Sequence, residues 1–155
     1  RRGQTPVIPG TGQRFRCNLI SAITNRGKLA FMVFGQRFTS GVFIRFLRRL
    51  IRHHRGGRVF FIVDEHPVHL SGKVKNWVKK HRDEIRLFFL PGYSPDLNPD
   101  ELLNQDVKTN AVGRKRPHNR EEMVRNVRSY LWSTQKRSQK VRAYFQHPNV
   151  QYAAS

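Results

Sequence analysis

The sequence predicts an α/β layered domain. Short apolar or β-branched runs of strand length alternate with longer stretches of helical periodicity, and clusters of Gly, Pro and Asn mark the borders between them. Size and composition agree: 155 residues with a hydrophobic fraction of 37% and eleven Phe can bury a core and fit a folded chain rather than a disordered one. The expected order is β-β-α-β-α-β-α-α, with no internal repeat.

Residues 1–13, rich in Gly, Pro and Thr, read as a loop or arm. Arg14 to Thr24 (RFRCNLISAIT) is apolar and β-branched enough for a strand. Asn25-Arg26-Gly27 supplies a turn, and Lys28 to Phe34 (KLAFMVF) pairs back as a hairpin. Residues 35–40 connect to a helix over Gly41 to His54. There Val42, Phe43, Phe46, Leu47, Leu50 and Ile51 share one face, while Arg45, Arg48, Arg49 and Arg52 take the other. His53 and His54 close its C-terminal end, and Gly56-Gly57 ends it.

Val59 to Val63 (VFFIV) is an uninterrupted apolar run after a helix, which suggests a strand buried on both faces in a parallel sheet. Ser71 caps a second helix through about His81, with Val74, Trp77 and Val78 inward. Leu87 to Leu90 (LFFL) is a further short buried strand. Pro91 to Pro99 is loop, because three prolines in nine residues continue neither a sheet nor a helix. Asn98-Pro99-Asp100-Glu101 reads as a helix start, with Asn at the cap, Pro in the first turn and Glu at the capping-box position. A last long helix begins at Asn119, with Glu122 in the same relation, and carries Met123, Val127, Tyr130, Leu131 and Trp132 ahead of a basic tail. The chain is thus expected to comprise an arm (1–13), a core (14–112) and a basic helical segment (113–155). Tyr93 and Trp77 read as packing residues.

The formal net charge of +20 points to a polyanionic partner. Residues 1–63 hold thirteen Lys or Arg and no Asp or Glu; residues 64–106 hold six bases against eight acids; residues 107–155 hold eleven bases against two acids. An acidic island therefore lies between two basic segments. The bases are not confined to one amphipathic helix, which argues against a membrane surface. No apolar run reaches the roughly 18 residues of a bilayer span. The lone Cys17 forms no internal disulfide, and a reducing cytoplasm is expected.

The acids have addresses. Asp64 directly follows VFFIV, and Glu101 stands on the first turn of the helix after LFFL. Functional groups in open α/β sheets collect beyond the carboxyl ends of strands. Carboxylates facing each other there repel unless a divalent cation lies between them, and Mg²⁺ with oxygen ligands leaves room for phosphate oxygens. Each acid also has a local explanation: Asp64 as a turn acid, Glu101 and Asp100 as helix N-terminal residues favoured by the dipole. His66 and His69 form H-x-x-H, a poor zinc pattern without further ligands. Asp106 lies five residues past Glu101, roughly 140° round the helix, away from the same site.

The stretch FLPGYSPDLNPDE (residues 89–101), followed by LLNQDVK, resembles the signature around the third catalytic acid of Tc/mariner-type DDE transposases in their bacterial insertion-sequence branch. That pattern is an apolar strand, then L-P-x-Y-S-P-D-L-N-P-x-E, then a helix. FFIVDEHPVHLS resembles the segment bearing the second acid, an apolar strand followed by D-x-x-x-x-H. The two motifs stand in family order, with 36 residues between Asp64 and Glu101. The resemblance covers nearly the whole chain.

It implies an RNase H-like mixed sheet flanked by helices, with Asp64 and Glu101 as catalytic metal ligands and His69 and Asn98 in support. Asp100 falls at the variable position, and Glu65 stands where the family often has Asn or Gly. In the family the first acid lies on the opening strand, upstream of a W-x-x-x-G-Q-x-P-like segment. Here RRGQTP begins just past that point, so the first strand and the first ligand are expected to be lacking. The implied activity is DNA strand cleavage at transposon ends and transfer to target DNA. Two Mg²⁺ ions, or Mn²⁺, would serve a homodimer in a bacterial cytoplasm, associated with the nucleoid when on DNA. Arg45, Arg48, Arg49, Arg114, Lys115 and Arg116 would hold phosphates. The rivals are a truncated remnant that binds DNA or a partner without catalysis, an RNase H-like host nuclease that cuts without joining, and a basic nucleoid- or RNA-associated protein.

Overall fold

The computed structural model describes residues 7–9, 14–54, 57–90 and 98–153, divided between two compact units. In chain order the strands and helices are β1 (Val7–Pro9), β2 (Arg14–Arg16), β3 (Asn18–Ile23), β4 (Leu29–Phe34), α1 (Ser40–His53), β5 (Val59–Val63), α2 (Gly72–Lys80), β6 (Ile85–Phe89), α3 (Asp100–Asp106), α4 (Arg120–Gln135) and α5 (Ser138–Ala143). A π-helical stretch, Val107–Gly113, continues α3, and 3₁₀ turns follow α5. No helix among the described residues is long and apolar enough to cross a membrane.

One unit spans residues 37–98. Its α1 starts where the Thr39 side chain accepts from the Val42 N–H at 3.3 Å, and α2 where Ser71 accepts from Val74 at the same distance. The two cap regions are tied by a 2.7 Å hydrogen bond between the Ser40 and Ser71 hydroxyls. Strands β5 and β6 pair in parallel, Val59 opposite Ile85 through Val63 opposite Phe89. Val42, Phe43, Phe46 and Leu47 of α1, Val74 and Trp77 of α2, and Phe61, Val63 and Ile85 of the strands are buried.

The expectation that VFFIV is buried on both faces and that LFFL is a buried strand is corrected. Burial alternates along β5, with Phe60 62% exposed, and Phe88 and Phe89 of β6 are exposed as well. Period 2 sends alternate side chains to opposite faces, and the buried pair in β5 is Phe61 and Val63, with the Phe61 ring against Phe43 and Phe46 of α1. Strand β6 also begins two residues before the predicted run.

The other unit joins residues up to 36 with residues from 99 onward. Strands β3 and β4 form the predicted antiparallel hairpin, Asn18 opposite Phe34 through Ile23 opposite Leu29. Its turn closes through Gly27, whose φ of +88° is a conformation that side chains rarely adopt. The core gathers Cys17, Leu19 and Leu29 with Leu103, Val107, Ala111 and Val112, Met123, Val127 and Leu131 of α4, and Val141 and Tyr144.

Here too the sequence expectation needs amendment. Residues 7–9 form a strand rather than loop, pairing antiparallel with 14–16, so the predicted single strand from Arg14 to Thr24 is two strands with different partners. Within the segment read as basic and helical, α5 buries Val141, and Tyr144 and Phe145 follow it into the core. At α4 the predicted cap holds, the Asn119 side chain accepting from the Glu122 N–H at 2.8 Å. Pro99 has helical dihedrals (φ −61°, ψ −24°), as a first-turn proline requires, although regular helix starts at Asp100. Tyr93, Asp96 and Gly56 lie outside the described residues.

Candidate active site

Strand β5 ends at Val63, and the next residue, Asp64, is only 3% exposed. Residues 67–70 turn back immediately, because Pro67 cannot extend the strand and Leu70 N–H bonds back to the His66 carbonyl at 3.2 Å. That turn folds His69 underneath Asp64. The imidazole is fully buried, with its ring centroid 4.4 Å from that of Phe43 and 5.9 Å from that of Phe38. Its Nδ1 stands 3.0 Å from the Asp64 carbonyl oxygen and 3.2 Å from Asp64 Oδ1. Both neighbours are acceptors, so Nδ1 carries the proton. His69 Nε2 is buried with no hydrogen-bond partner among the described residues. The D-x-x-x-x-H spacing therefore corresponds to a clamp in which one N–H bonds the backbone of the acid and lies beside its carboxylate. His66 is used differently: its Nδ1 accepts from the Val68 N–H at 3.0 Å, a local turn bond. Glu65 is exposed.

Glu101 lies in the other unit, on the first turn of α3, and is 6% exposed. Asn104, one turn on, donates from Nδ2 to Glu101 Oε1 at 3.2 Å, which restrains the carboxylate's rotation. Asp100 is buried too, and the Ser21 hydroxyl of β3 sits 2.8 and 2.9 Å from its two carboxylate oxygens. Asn104 Oδ1 is 3.3 Å from the same hydroxyl. Strand β3 thus holds the helix that presents Glu101. Asn98 is buried at 4% exposure.

Asp106 belongs to a separate cluster. It accepts from the Tyr144 hydroxyl and lies 4.0 Å from Lys140 Nζ, which in turn donates to the Tyr130 hydroxyl at 2.7 Å. Burial, then the hydrogen bond to Asp106, pushes the Tyr144 phenol well above its ordinary value. Burial likewise drives the Cys17 thiol up to about 11, against the pull of Arg120 and Arg128. Among the described residues no group of three His, Cys, Asp or Glu gathers at metal-binding distance. Asp64 and Glu101, each within its own unit, carry oxygen donors of the kind that Mg²⁺ and Mn²⁺ prefer.

Of the basic residues, Arg45 and Arg48 are exposed and Arg49 is half-buried on α1, with the Arg48 guanidinium 5.9 Å from the Trp77 ring. Arg114, Lys115 and Arg116 are exposed beyond the π-helical stretch. Ser21 and Asn104 were not singled out from the sequence. Asn104 carried a signal, an amide three residues past the acid on the same helix. Ser21 carried none, since its partner is 79 residues away.

The mixed α/β fold, with one buried carboxylate just beyond parallel strand β5 and another on the opening turn of α3, is of the RNase H-like class. Residues 1–124 match the DDE superfamily endonuclease family, and the chain belongs to it. It is 27% identical over 132 residues to the insertion element IS630 uncharacterized 39 kDa protein of Shigella sonnei, an alignment covering 84% of this chain and 38% of that protein. The chain therefore spans well under half the length of that relative. Its fold matches the catalytic domain of Mos1 mariner transposase with a TM-score of 0.62 at 18% identity, over 99% of this chain and 81% of the other. It also matches the Mos1 mariner paired end complex with Mn, with a TM-score of 0.52 at 16% identity, over 100% and 52% of the two chains.

Proposed function

We propose that this chain belongs to an insertion-sequence transposase catalytic domain, which cleaves DNA at transposon ends and transfers the freed strand to target DNA. The observation that carries the proposal is the buried Asp64 carboxylate just past strand β5, with His69 Nδ1 bonded to the Asp64 carbonyl and 3.2 Å from Oδ1. In this role Asp64 and Glu101 are metal ligands. His69 keeps Asp64 from swinging out, and Asn104 does the same for Glu101. Bound divalent ions would polarise the scissile phosphodiester and lower the pKa of the attacking water or 3′-hydroxyl. The Mn-containing Mos1 complex supports Mg²⁺ or Mn²⁺ as the ion, and its paired-end assembly supports a dimer as the active form.

Arg45, Arg48, Arg49, Arg114, Lys115 and Arg116 would meet phosphates, contacts that are salt-sensitive and carry no direct sequence information. A bacterial cytoplasm, on the nucleoid when bound to DNA, fits the insertion-element relative. Asn98, buried beside the start of α3, would support the loop that precedes Glu101. Residues 1–63 contain no Asp or Glu, so none of them provides a third carboxylate. A second reading is that residues 1–155, taken alone, bind DNA or a partner transposase without cutting.

A metal-dependent nicking assay on this 155-residue chain separates the two. In a full-length transposase carrying this domain, Asp64→Ala and Glu101→Ala are each expected to abolish cleavage and to leave DNA binding intact. Cleavage retained by both variants would reject the assignment.

A further inference from the structure

Helix α4 carries a surface that the proposed chemistry does not use. Arg120, Glu121, Val124, Arg125, Arg128 and Trp132 line one open groove of about 460 Å³. At 100° per residue these six fall within about 140° of the helix circumference, a single face. The adjacent face, centred about 100° round the axis, holds Met123, Val127 and Leu131, which are fully buried, so the orientation of α4 is fixed by its core side. Trp132 is 55% exposed, although indole is the largest apolar side chain the chain has to hide. Its inner edge rests against Phe31 of β4, with ring centroids 6.3 Å apart at 62°, which holds the indole in place. Arg128 stands one turn before it on the same face, and Arg125 and Arg120 continue the row of positive charge. One carboxylate, Glu121, interrupts it.

We propose that this face of α4 binds single-stranded DNA, with an unpaired base stacked on Trp132 and the adjoining phosphates met by Arg125 and Arg128. The chemistry selects that occupant. A fixed, exposed indole beside guanidinium groups offers a flat π surface and a cationic track in the order that a base and its phosphodiester present them. A duplex shields its base faces and would use only the arginines. The groove's volume lies in the range that accommodates a small-molecule-sized group such as one nucleotide. The choice of DNA over RNA rests on the transposase reading, in which strand cleavage exposes unpaired ends.

The test is a fluorescence titration of this chain with an oligothymidylate of about ten nucleotides, a length that spans a site of the usual size. The chain has two tryptophans, and Trp77 is 9% exposed with its ring stacked 4.0 Å from His81, so quenching by added strand reports Trp132. Saturable quenching is expected with the oligothymidylate. Trp132→Ala should weaken binding, measured by anisotropy of a labelled strand, by about 5- to 150-fold. Trp132→Phe, which keeps a ring against Phe31, should lose less, and Arg125→Gln with Arg128→Gln should flatten the salt dependence. Unchanged affinity in Trp132→Ala, preference for duplex over single strand, or binding confined to an oligouridylate would each overturn the proposal. Failure of the cleavage reading would show instead in the Asp64 and Glu101 variants and would leave this titration unaffected.

Discussion

Replacing Ser21 by Ala removes one oxygen from the interior, and the structure gives the cost. The hydroxyl is 1% exposed and sits 2.8 and 2.9 Å from the two oxygens of Asp100, itself 2% exposed. Hydrogen bonds to charged groups contribute about 1.5–3 kcal/mol, and a carboxylate this deeply buried recovers little of that from water. Ser21→Ala is therefore expected to lower stability by about 1.5–3 kcal/mol, or roughly 3–12 °C in Tm for a chain of this length. Urea unfolding monitored by far-UV circular dichroism reads this directly, provided the m-value is unchanged. A cycle with Asp100→Ala isolates the pair, and its coupling energy should fall in the same range. A loss under about 0.5 kcal/mol in Ser21→Ala, or a coupling near zero, would refute the claim that this bond fastens α3 to β3.

The Cys17 thiol, raised by burial to about 11 from 9.0, favours the folded state while protonated. Its contribution is complete below pH 9 and lost as pH rises towards 11, so wild type should lose about 2–3 kcal/mol more than Cys17→Ala between pH 8 and pH 11 in urea unfolding. Equal losses in the two proteins would dismiss it. At Gly27, φ is +88° and an added Cβ would meet the Ser138 carbonyl oxygen at 2.5 Å. Gly27→Ala should thus cost about 2 kcal/mol or more, seen as a lower thermal midpoint, and an unchanged midpoint would contradict the close approach of turn and α5. Finally, His69→Ala empties a fully enclosed ring site beside Phe43 and should destabilise by about 2–5 kcal/mol. A neutral effect in the same melt would mean that the clamp on Asp64 is not part of the folded framework.

What the sequence revealed tracks how local each determinant is. The amphipathic pattern of α1, the Ser71 and Asn119 caps and the Asn25–Gly27 turn all depend on residues within a few positions, and all are present. The parallel pairing of β5 with β6 was legible because a helix intervenes between two apolar runs. Burial was less legible. The run VFFIV looks the same whether one face or two are covered, and Phe60 shows that composition does not name a strand's neighbours. The switch of partners at Cys17 was hidden for a related reason, because β2 and β3 read as one continuous run.

In the C-terminal segment charge dominates the pattern, and its buried face, Val141, Tyr144 and Phe145 at helical spacing, was not named from the sequence. At the candidate site, the D-x-x-x-x-H spacing located the buried Asp64–His69 pair. The Ser21–Asp100 bond, made across 79 positions, needed the fold.

The π-helical stretch from Val107 to Gly113 has a bearing on the basic cluster that follows it. Its last wide turn closes when the Arg114 N–H reaches the Thr109 carbonyl at 2.9 Å, five residues back instead of four. Deleting one residue there would restore ordinary α spacing and turn all that comes next by about 100° around the axis. Arg114, Lys115 and Arg116 would then point to a different quarter of space while keeping their identity and charge. Their aim is written in the main chain, as a count of peptide units, and a one-codon change in length could redirect them more thoroughly than any substitution.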